Sequence, residues 1–466
     1  MELTVKSIVR VIAVLGLAVG VLGGEAALSF GASAPELTEA RGLLQQAADL
    51  AATIEDNYLR GKLLGNIGAV QAQAGDVPAA LRTAARVRPD RIGWNGDALR
   101  DIAMIQAKAG DYAGALQTVV LIYDQMEKAY TLSDIVKLQA QAGDIDGARR
   151  LSDTISDASW KAAAVRDIAA AQAEAGDLRG GLATAVSIQD QSWRASALAD
   201  LATAQIRAGD RAAAVKTLSL AVGSAAKMTD RALRDDTLGT IAVVQVRAGD
   251  REGARRTIAR IRRKDFRADA DQCLAVMQAE LGDISGAMHT VAALQRTVDQ
   301  ANALRRIAIG QAKAGDRVAA EHTLGFALQA ANRSRDTSSR ASALGDIAVA
   351  QAEVGNLQEA LRIIASINPT YMRETPLQQI AMMLAQAGDI VQSSQLAAQI
   401  GIAEYRAEAL QRIATAHTKQ GNSQEALAEA GRQVAPLMRA RILLGVAEAI
   451  VEGSMAANPQ RAVRRP

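Results

Sequence analysis

The apolar positions along this chain fall into short segments with one apolar side and one polar side. Leu64, Ile67 and Gly68 recur as Leu99, Ile102 and Ala103, and again as Leu198, Leu201 and Ala202. Offsets of 0, +3 and +4 place three side chains on one face of a helix. Each segment runs into a glycine followed by Asp or Asn, at Gly75, Gly110, Gly143, Gly176, Gly209, Gly249, Gly282, Gly315, Gly355, Gly388 and Gly421. The intervals are 35, 33, 33, 33, 40, 33, 33, 40, 33 and 33 residues. A recurring period of this size predicts stacked repeats.

Within a unit, the glycine can take the left-handed conformation that ends a helix. The Asp or Asn after it is a preferred N-cap for the next one. The pair therefore predicts the end of helix A and the start of helix B. Five residues past the glycine stands a small residue, as in Ala80, Ala115 and Ala254; twelve past it an apolar one, as in Ile122, Ile155 and Ile188. In the two 40-residue intervals the Asp found 14 past the glycine elsewhere (Asp124, Asp157, Asp190) moves to 21 past, as Asp230 and Asp336. Seven residues are close to two helical turns, so helix B should lengthen there without changing its facing. Leu43 to Asp56 reads as a lone helix B and Ala440 to Gly453 as a lone helix A, two half-units suited to capping the array.

Composition sharpens this. Aromatics are 3% of the chain, and Ala, the best helix former, is abundant. Both favour an all-α chain. Residues 1–34 stand apart: Lys6 and Arg10 precede the uncharged apolar run Val11 to Gly24. That run is shorter than the roughly 20 residues that span a bilayer. It predicts a signal peptide, a periplasmic or secreted protein, and no transmembrane segment in the mature chain. Residues 35–453 form the expected solenoid of about eleven repeats, and 454–466 a basic tail. The lone Cys273 excludes an intramolecular disulfide, and the net charge of +3 is small for 466 residues.

The repeat resembles the tetratricopeptide repeat over roughly residues 43–453. Leu99, Ile102 and Ala103 match that family's Trp, Leu and Gly positions on helix A, Gly110 and Asp111 its turn, and Ala115 the small residue opening helix B; Val119 and Ile122 take its Phe and second Ala positions. The chain departs in its 33-residue period, in Gln106 at the Tyr position, and in lacking a regular closing Pro. The resemblance implies a right-handed α-solenoid of helix–turn–helix repeats whose concave face, lined by helix A, holds a peptide or protein.

Several features carry candidate chemistry. Nine units have Gln four before the glycine, from Gln71 to Gln351. Recurring in register, it reads as a structural amide rather than a ligand site. Trp94, Trp160, Trp193, Phe266 and Tyr405 all lie 16 before their glycine, which predicts packing of helix A's start. His289 and His322 share one position, expected to face solvent. One Asp per unit does not supply a calcium loop. No nucleophile–base or phosphate-loop motif stands out, so no cofactor or metal is expected and an enzyme is disfavoured.

The chain is thus expected to be a non-catalytic interaction scaffold of the cell envelope. By the resemblance, the exposed helix A positions carry Arg100, Arg166 and Arg305 (ten before the glycine) and Lys108, Arg207, Arg247 and Lys313 (two before it). Acids such as Glu174 share the latter position, so nucleic acid is a disfavoured partner. The alternative site is the dense basic run 255–267, with Arg262, Arg263 and Lys264 at its centre, which could meet nucleic acid or another polyanion.

Overall fold

The computed structural model describes residues 34–87 and 94–456. The expected signal segment, 1–34, lies outside the described residues except for residue 34, and the expected tail, 454–466, except for residues 454–456, which are helical. The described residues are all-α, without a strand. They fall into two compact units: one of residues up to 138 together with 377 onward, the other of 139–376.

The helices alternate as predicted. In the order B, then A, B pairs, they run α1 Ala34–Ala52; α2 Asn57–Gln73 and α3 Val77–Ala85; α4 Trp94–Lys108 and α5 Tyr112–Val120; α6 Gln125–Gln141 and α7 Ile145–Asp153. There follow α8 Ala158–Glu174 and α9 Leu178–Ser187; α10 Gln191–Arg207 and α11 Arg211–Ala225; α12 Arg231–Arg247 and α13 Arg251–Ala259; α14 Lys264–Glu280 and α15 Ile284–Ala293. The series closes with α16 Thr297–Lys313 and α17 Arg317–Asn332; α18 Thr337–Glu353 and α19 Leu357–Ser366; α20 Glu374–Gln386 and α21 Ile390–Gln399; α22 Ala403–Lys419 and α23 Ser423–Arg432; and α24 Pro436–Ala456. The two long units hold their extra residues in helix B: α11 has 15 residues and α17 has 16, against 9 or 10 in the other full units.

One local device builds every turn. All eleven glycines sit at φ between 76° and 95°, a region that disfavours a Cβ. This lets the following N–H fold back: Asp76 N–H donates to the Gln71 carbonyl at 2.9 Å, and Asp177 N–H to that of Gln172 at 2.8 Å. That six-to-one bond is a Schellman closure of helix A. The same Asp then opens helix B. Its Oδ1 accepts from the N–H three residues on, at 3.0 Å in Asp76–Ala79 and 2.8 Å in Asp111–Gly114. Asn422 makes no such side-chain bond. The Asp 14 or 21 past the glycine caps the next helix A, as Asp157 does for Trp160 N–H and Asp336 for Ser339 N–H.

The apolar stripe packs as its spacing predicts. Ile67, Ile102, Ile135, Ala80, Ala115 and Ala214 are fully buried, and within each unit helix A packs on its own helix B, as α10 does on α11 and α16 on α17. Trp193 and Phe266 lie half-buried against the core of the second unit. His289 and His322 are exposed.

The half-units behave differently from the expectation. α1 starts at Ala34, nine residues before Leu43, and α24 extends to Ala456. They do not close two separate ends. α1, a helix B, packs along α24, a helix A, and together they complete one repeat inside the first unit. Leu44, Ala47 and Ala48 share one buried cluster with Ile442, Leu443 and Val446. Each half-unit bears an apolar face that its own neighbours cannot cover, so the two faces cover each other.

Candidate interaction surfaces

The arginines ten before the glycine are not free. Arg100 on α4 is half-buried: its Nη2 lies 2.8 Å from Asp134, its Nε 3.8 Å from Glu127, and its guanidinium stacks 4.1 Å from the Tyr130 ring, all on α6. Arg166 on α8 reaches Asp200 on α10 at 3.1 Å, its neighbour Asp167 at 3.1 Å, and the Trp193 ring at 5.8 Å. Arg305 on α16 opposes the rise that burial imposes on the Asp346 carboxyl of α18. For Arg100 and Arg166, an Arg ten before one glycine pairs with the Asp nine before the next; for Arg305 the same Asp position is reached only through its charge. These side chains tie adjacent A helices together, which corrects their expected exposure.

Of the remaining candidates, Lys108 is half-buried and its ammonium is pushed down by burial, against the pull of Asp101. Arg207 is exposed and sits 3.6 Å from Glu174. Arg247 and Lys313 are exposed, and so are Arg262, Arg263 and Lys264.

Around Arg100 the structure gathers carboxyls that the sequence scatters. Burial, reinforced by the charges of Asp97 and Glu127 and opposed by Arg100, pushes Asp101 up to about 6. Asp97 and Glu127 are also raised by burial. For Arg100, burial works against the charge, but the Asp134 hydrogen bond and charge outweigh it and the value rises. Because the folded value of Asp101 exceeds 3.8, the folded chain holds a proton through a window, about pH 4 to 6, where the unfolded chain has lost it. That contribution is fully present below pH 4 and is lost as pH rises through 6. Asp101→Asn should therefore stabilise the protein at neutral pH by about 1–3 kcal/mol, with little effect near pH 4. Thermal melts of both proteins across that range check it; an equal gain at both ends would separate the effect from Asp101's ionisation.

In four repeats the recurring Gln clamps the Thr of its own helix B, while the Oε1 of Gln205, Gln245, Gln311 and Gln351 accepts no such bond. Gln71 Oε1 accepts from Thr83 Oγ1 at 2.7 Å, and Thr118–Gln106, Thr184–Gln172 and Thr290–Gln278 repeat the bond at 2.6 to 2.7 Å. The amide end turns to the turn acid, as in Gln139 Nε2 to Asp144 at 2.7 Å. The partner Thr, twelve residues after the Gln, was readable in the sequence and was missed. So was the side chain 18 past the glycine: Arg194 Nε donates to the Ile188 carbonyl at 2.6 Å, and Gln300 to that of Leu294 at 2.9 Å.

One surface breaks the repeat. The turn from α5 to α6 exposes Val120 (72%), Leu121 (57%), Tyr123 (95%) and Met126 (58%) around a depression of about 580 Å³. The same turn positions elsewhere carry Asp153, Thr154 and Ser156, or Ala365, Ser366 and Asn368. Packing therefore does not require apolar residues here. The turn is well held. Ile122 is buried beneath it, Asp124 caps Glu127 N–H at 2.8 Å, and the Lys128 ammonium donates to the Val120 carbonyl at 3.5 Å.

Among the described residues no group of His, Cys, Asp and Glu could hold a metal ion, and no helix is long and apolar enough to cross a membrane. No protein-family model and no curated protein matches the chain. Among solved structures it is similar to Ton1535 from Thermococcus onnurineus NA1, with 19% identity over 68% of this chain and 98% of that one, at a TM-score of 0.28. It is also similar to a protein described as a circular tandem repeat protein with novel repeat topology and enhanced subunit contact surfaces. There the identity is 15% over 92% of this chain and 98% of that one, at a TM-score of 0.15.

Proposed function

We propose that this protein is a non-catalytic interaction scaffold of the cell envelope, and that it docks a protein partner through the α5–α6 turn. A tandem helical-repeat fold is compatible with a protein-interaction role. The observation that carries the reading is the exposed set Val120, Leu121, Tyr123 and Met126 grouped on one turn, where the matching positions of other repeats expose single apolar residues such as Val186 or Val434. Exposed apolar side chains grouped on a rigid turn lower the cost of binding, and Tyr is a frequent anchor at interfaces. The partner is a protein segment with its own apolar side chains. The envelope location rests on the apolar run Val11 to Gly24 behind Lys6 and Arg10. We further read the repeats as a 33-residue variant of the tetratricopeptide class, from the Leu99, Ile102, Gly110 and Ala115 matches. Arg100 and Arg166 join adjacent repeats, so the docking surface is assigned to the turn rather than to them.

The test is affinity capture from an envelope extract with the wild-type chain and with Leu121→Ser/Tyr123→Ser/Met126→Ser. A partner held by this turn should bind the variant at least about thirtyfold more weakly, the scale of losing one interface anchor. Recovery of the same proteins in the same amounts by both would overturn the reading.

A further inference from the structure

We infer that the second unit carries a basic edge that attaches to an anionic phospholipid surface. This is independent of the protein-docking turn, which lies in the first unit. The edge is the row of turns where each helix B hands over to the next helix A. Lys227 and Arg231 stand on one such turn, Arg260, Arg262 and Lys264 on the next, and Arg333 and Arg335 two repeats further on; all seven are exposed. Arg296 occupies the turn between. The run 255–267 is thus the centre of a longer feature, which only the stacking of repeats reveals.

Hydrogen bonds join the first two turns, and the charge of Arg296 reaches the last. Asp235, fully buried at the start of α12, accepts the N–H groups of Arg262 and Arg263 at 3.0 and 2.9 Å. The Asp336 carboxyl is held low first by hydrogen bonds from Ser339, and further by the charges of Arg296 and Arg340. Packed helices lie about 8–10 Å apart, so the four turns extend over roughly 25–30 Å.

Of the nearby acids, Asp299 pairs with Arg296 at 3.8 Å, and Asp236 and Asp269 are exposed; the others are engaged. Asp230 caps α12 through Ala232 and Leu233 N–H, Asp336 caps α18, and Asp265 pairs with Arg263. The cations therefore outnumber the acids free to answer them. The edge suits lipid phosphates better than nucleic acid. Its aromatic ring, Phe266, packs against the core and is covered by the Arg263 guanidinium at 4.6 Å, so it has no open face for a base. Leu233, 45% exposed, stands among the cations and can enter the headgroup zone. Basic residues near an anionic leaflet each strengthen binding, and the attraction fades with salt.

The test is co-sedimentation of the full chain with vesicles of phosphatidylglycerol mixed with phosphatidylcholine, and with vesicles of phosphatidylcholine alone. Binding is expected only to the first, and should weaken as salt is raised. Arg231→Gln/Arg260→Gln/Arg262→Gln/Lys264→Gln should lower the partition coefficient on the order of a hundredfold. Arg260→Lys/Arg262→Lys keeps the charge and should bind normally. Arg207→Gln/Arg247→Gln/Lys313→Gln removes cations at the Gly-Asp turns instead and should also bind normally. Helical content by circular dichroism verifies that each variant is folded. The inference fails if both vesicle types bind alike, if neither binds at low salt, if the Arg207 set loses as much as the Arg231 set, or if duplex DNA competes the protein off the vesicles.

Discussion

Arg441→Met should destabilise the junction between the two chain ends by about 3–5 kcal/mol, the usual cost of removing one member of a buried charge network. Arg441 lies on α24 and is almost fully buried. Its Nη1 donates to Gln411 Oε1 at 2.9 Å, and its Nη2 is 3.8 Å from Glu408. Gln411 in turn donates to Glu448 at 2.7 Å, whose carboxyl burial pushes upward. Glu408 also accepts from Lys62 on α2 at 2.9 Å and from Gln378 on α20 at 2.7 Å. Burial opposes the Lys62 charge, but the Glu404 and Glu408 hydrogen bonds outweigh it and raise its value. The network thus joins α2, α20, α22 and α24. Without Arg441, Glu404 and Glu408 share a single lysine partner in a desolvated site. Arg441→Met/Glu408→Gln should recover part of the loss by removing the uncompensated charge. Urea titrations of the three proteins check both statements. A double variant no more stable than Arg441→Met would show that lost packing, not charge, causes the effect.

Gly445→Ala is expected to destabilise the same junction by about 1–3 kcal/mol, although alanine is the better helix former. A Cβ at Gly445 would meet the Gln411 carbonyl oxygen at 2.3 Å, and that atom belongs to the backbone of α22. Relief requires α22 and α24 to move apart, and Thr415 would lose its 3.1 Å hydrogen bond to the Gly445 carbonyl. Gly325→Ala on α17 is the contrast. Nothing lies within 4 Å of its Cβ position, so this variant should gain about 0.5–1 kcal/mol from helix propensity. Opposite signs in melting temperature are the expected result. A gain at Gly445 would mean that the two helices do not approach as closely as described.

Much of the architecture is local, and local features could be read directly. The Gly-Asp turn places a left-handed glycine, a Schellman N–H and a capping carboxylate within a few residues, so its chemistry is complete in the sequence. The same holds for the longer α11 and α17, because a shift of seven residues in the capping Asp states both the length and the phase. The Gln71–Thr83 clamp is nearly as local, and the period of twelve residues would have shown it. The apolar α5–α6 turn is legible too, as Val120, Leu121 and Tyr123 together, where other units carry at most one large apolar residue at the matching turn positions. Its exposure is not, because an apolar run next to a helix end reads the same in sequence whether it is buried or exposed.

The charged positions were decided elsewhere. Whether Arg100 faces solvent or a partner depends on the offset between stacked repeats, which brings it to Asp134, 34 residues away. Asp97, Asp101 and Glu127 become a cluster of raised carboxyls for the same reason. The basic edge required four turns to be aligned before its separate arginines could be seen as one surface. The chain ends show the limit most clearly. Period and capping residues determined by themselves that this is an array of helix pairs with an unpaired helix at each end. Only the tertiary structure could pair those helices, because Leu44 on α1 and Leu443 on α24 share one buried cluster while lying far apart in sequence, and no local residue pattern encodes a contact at that separation.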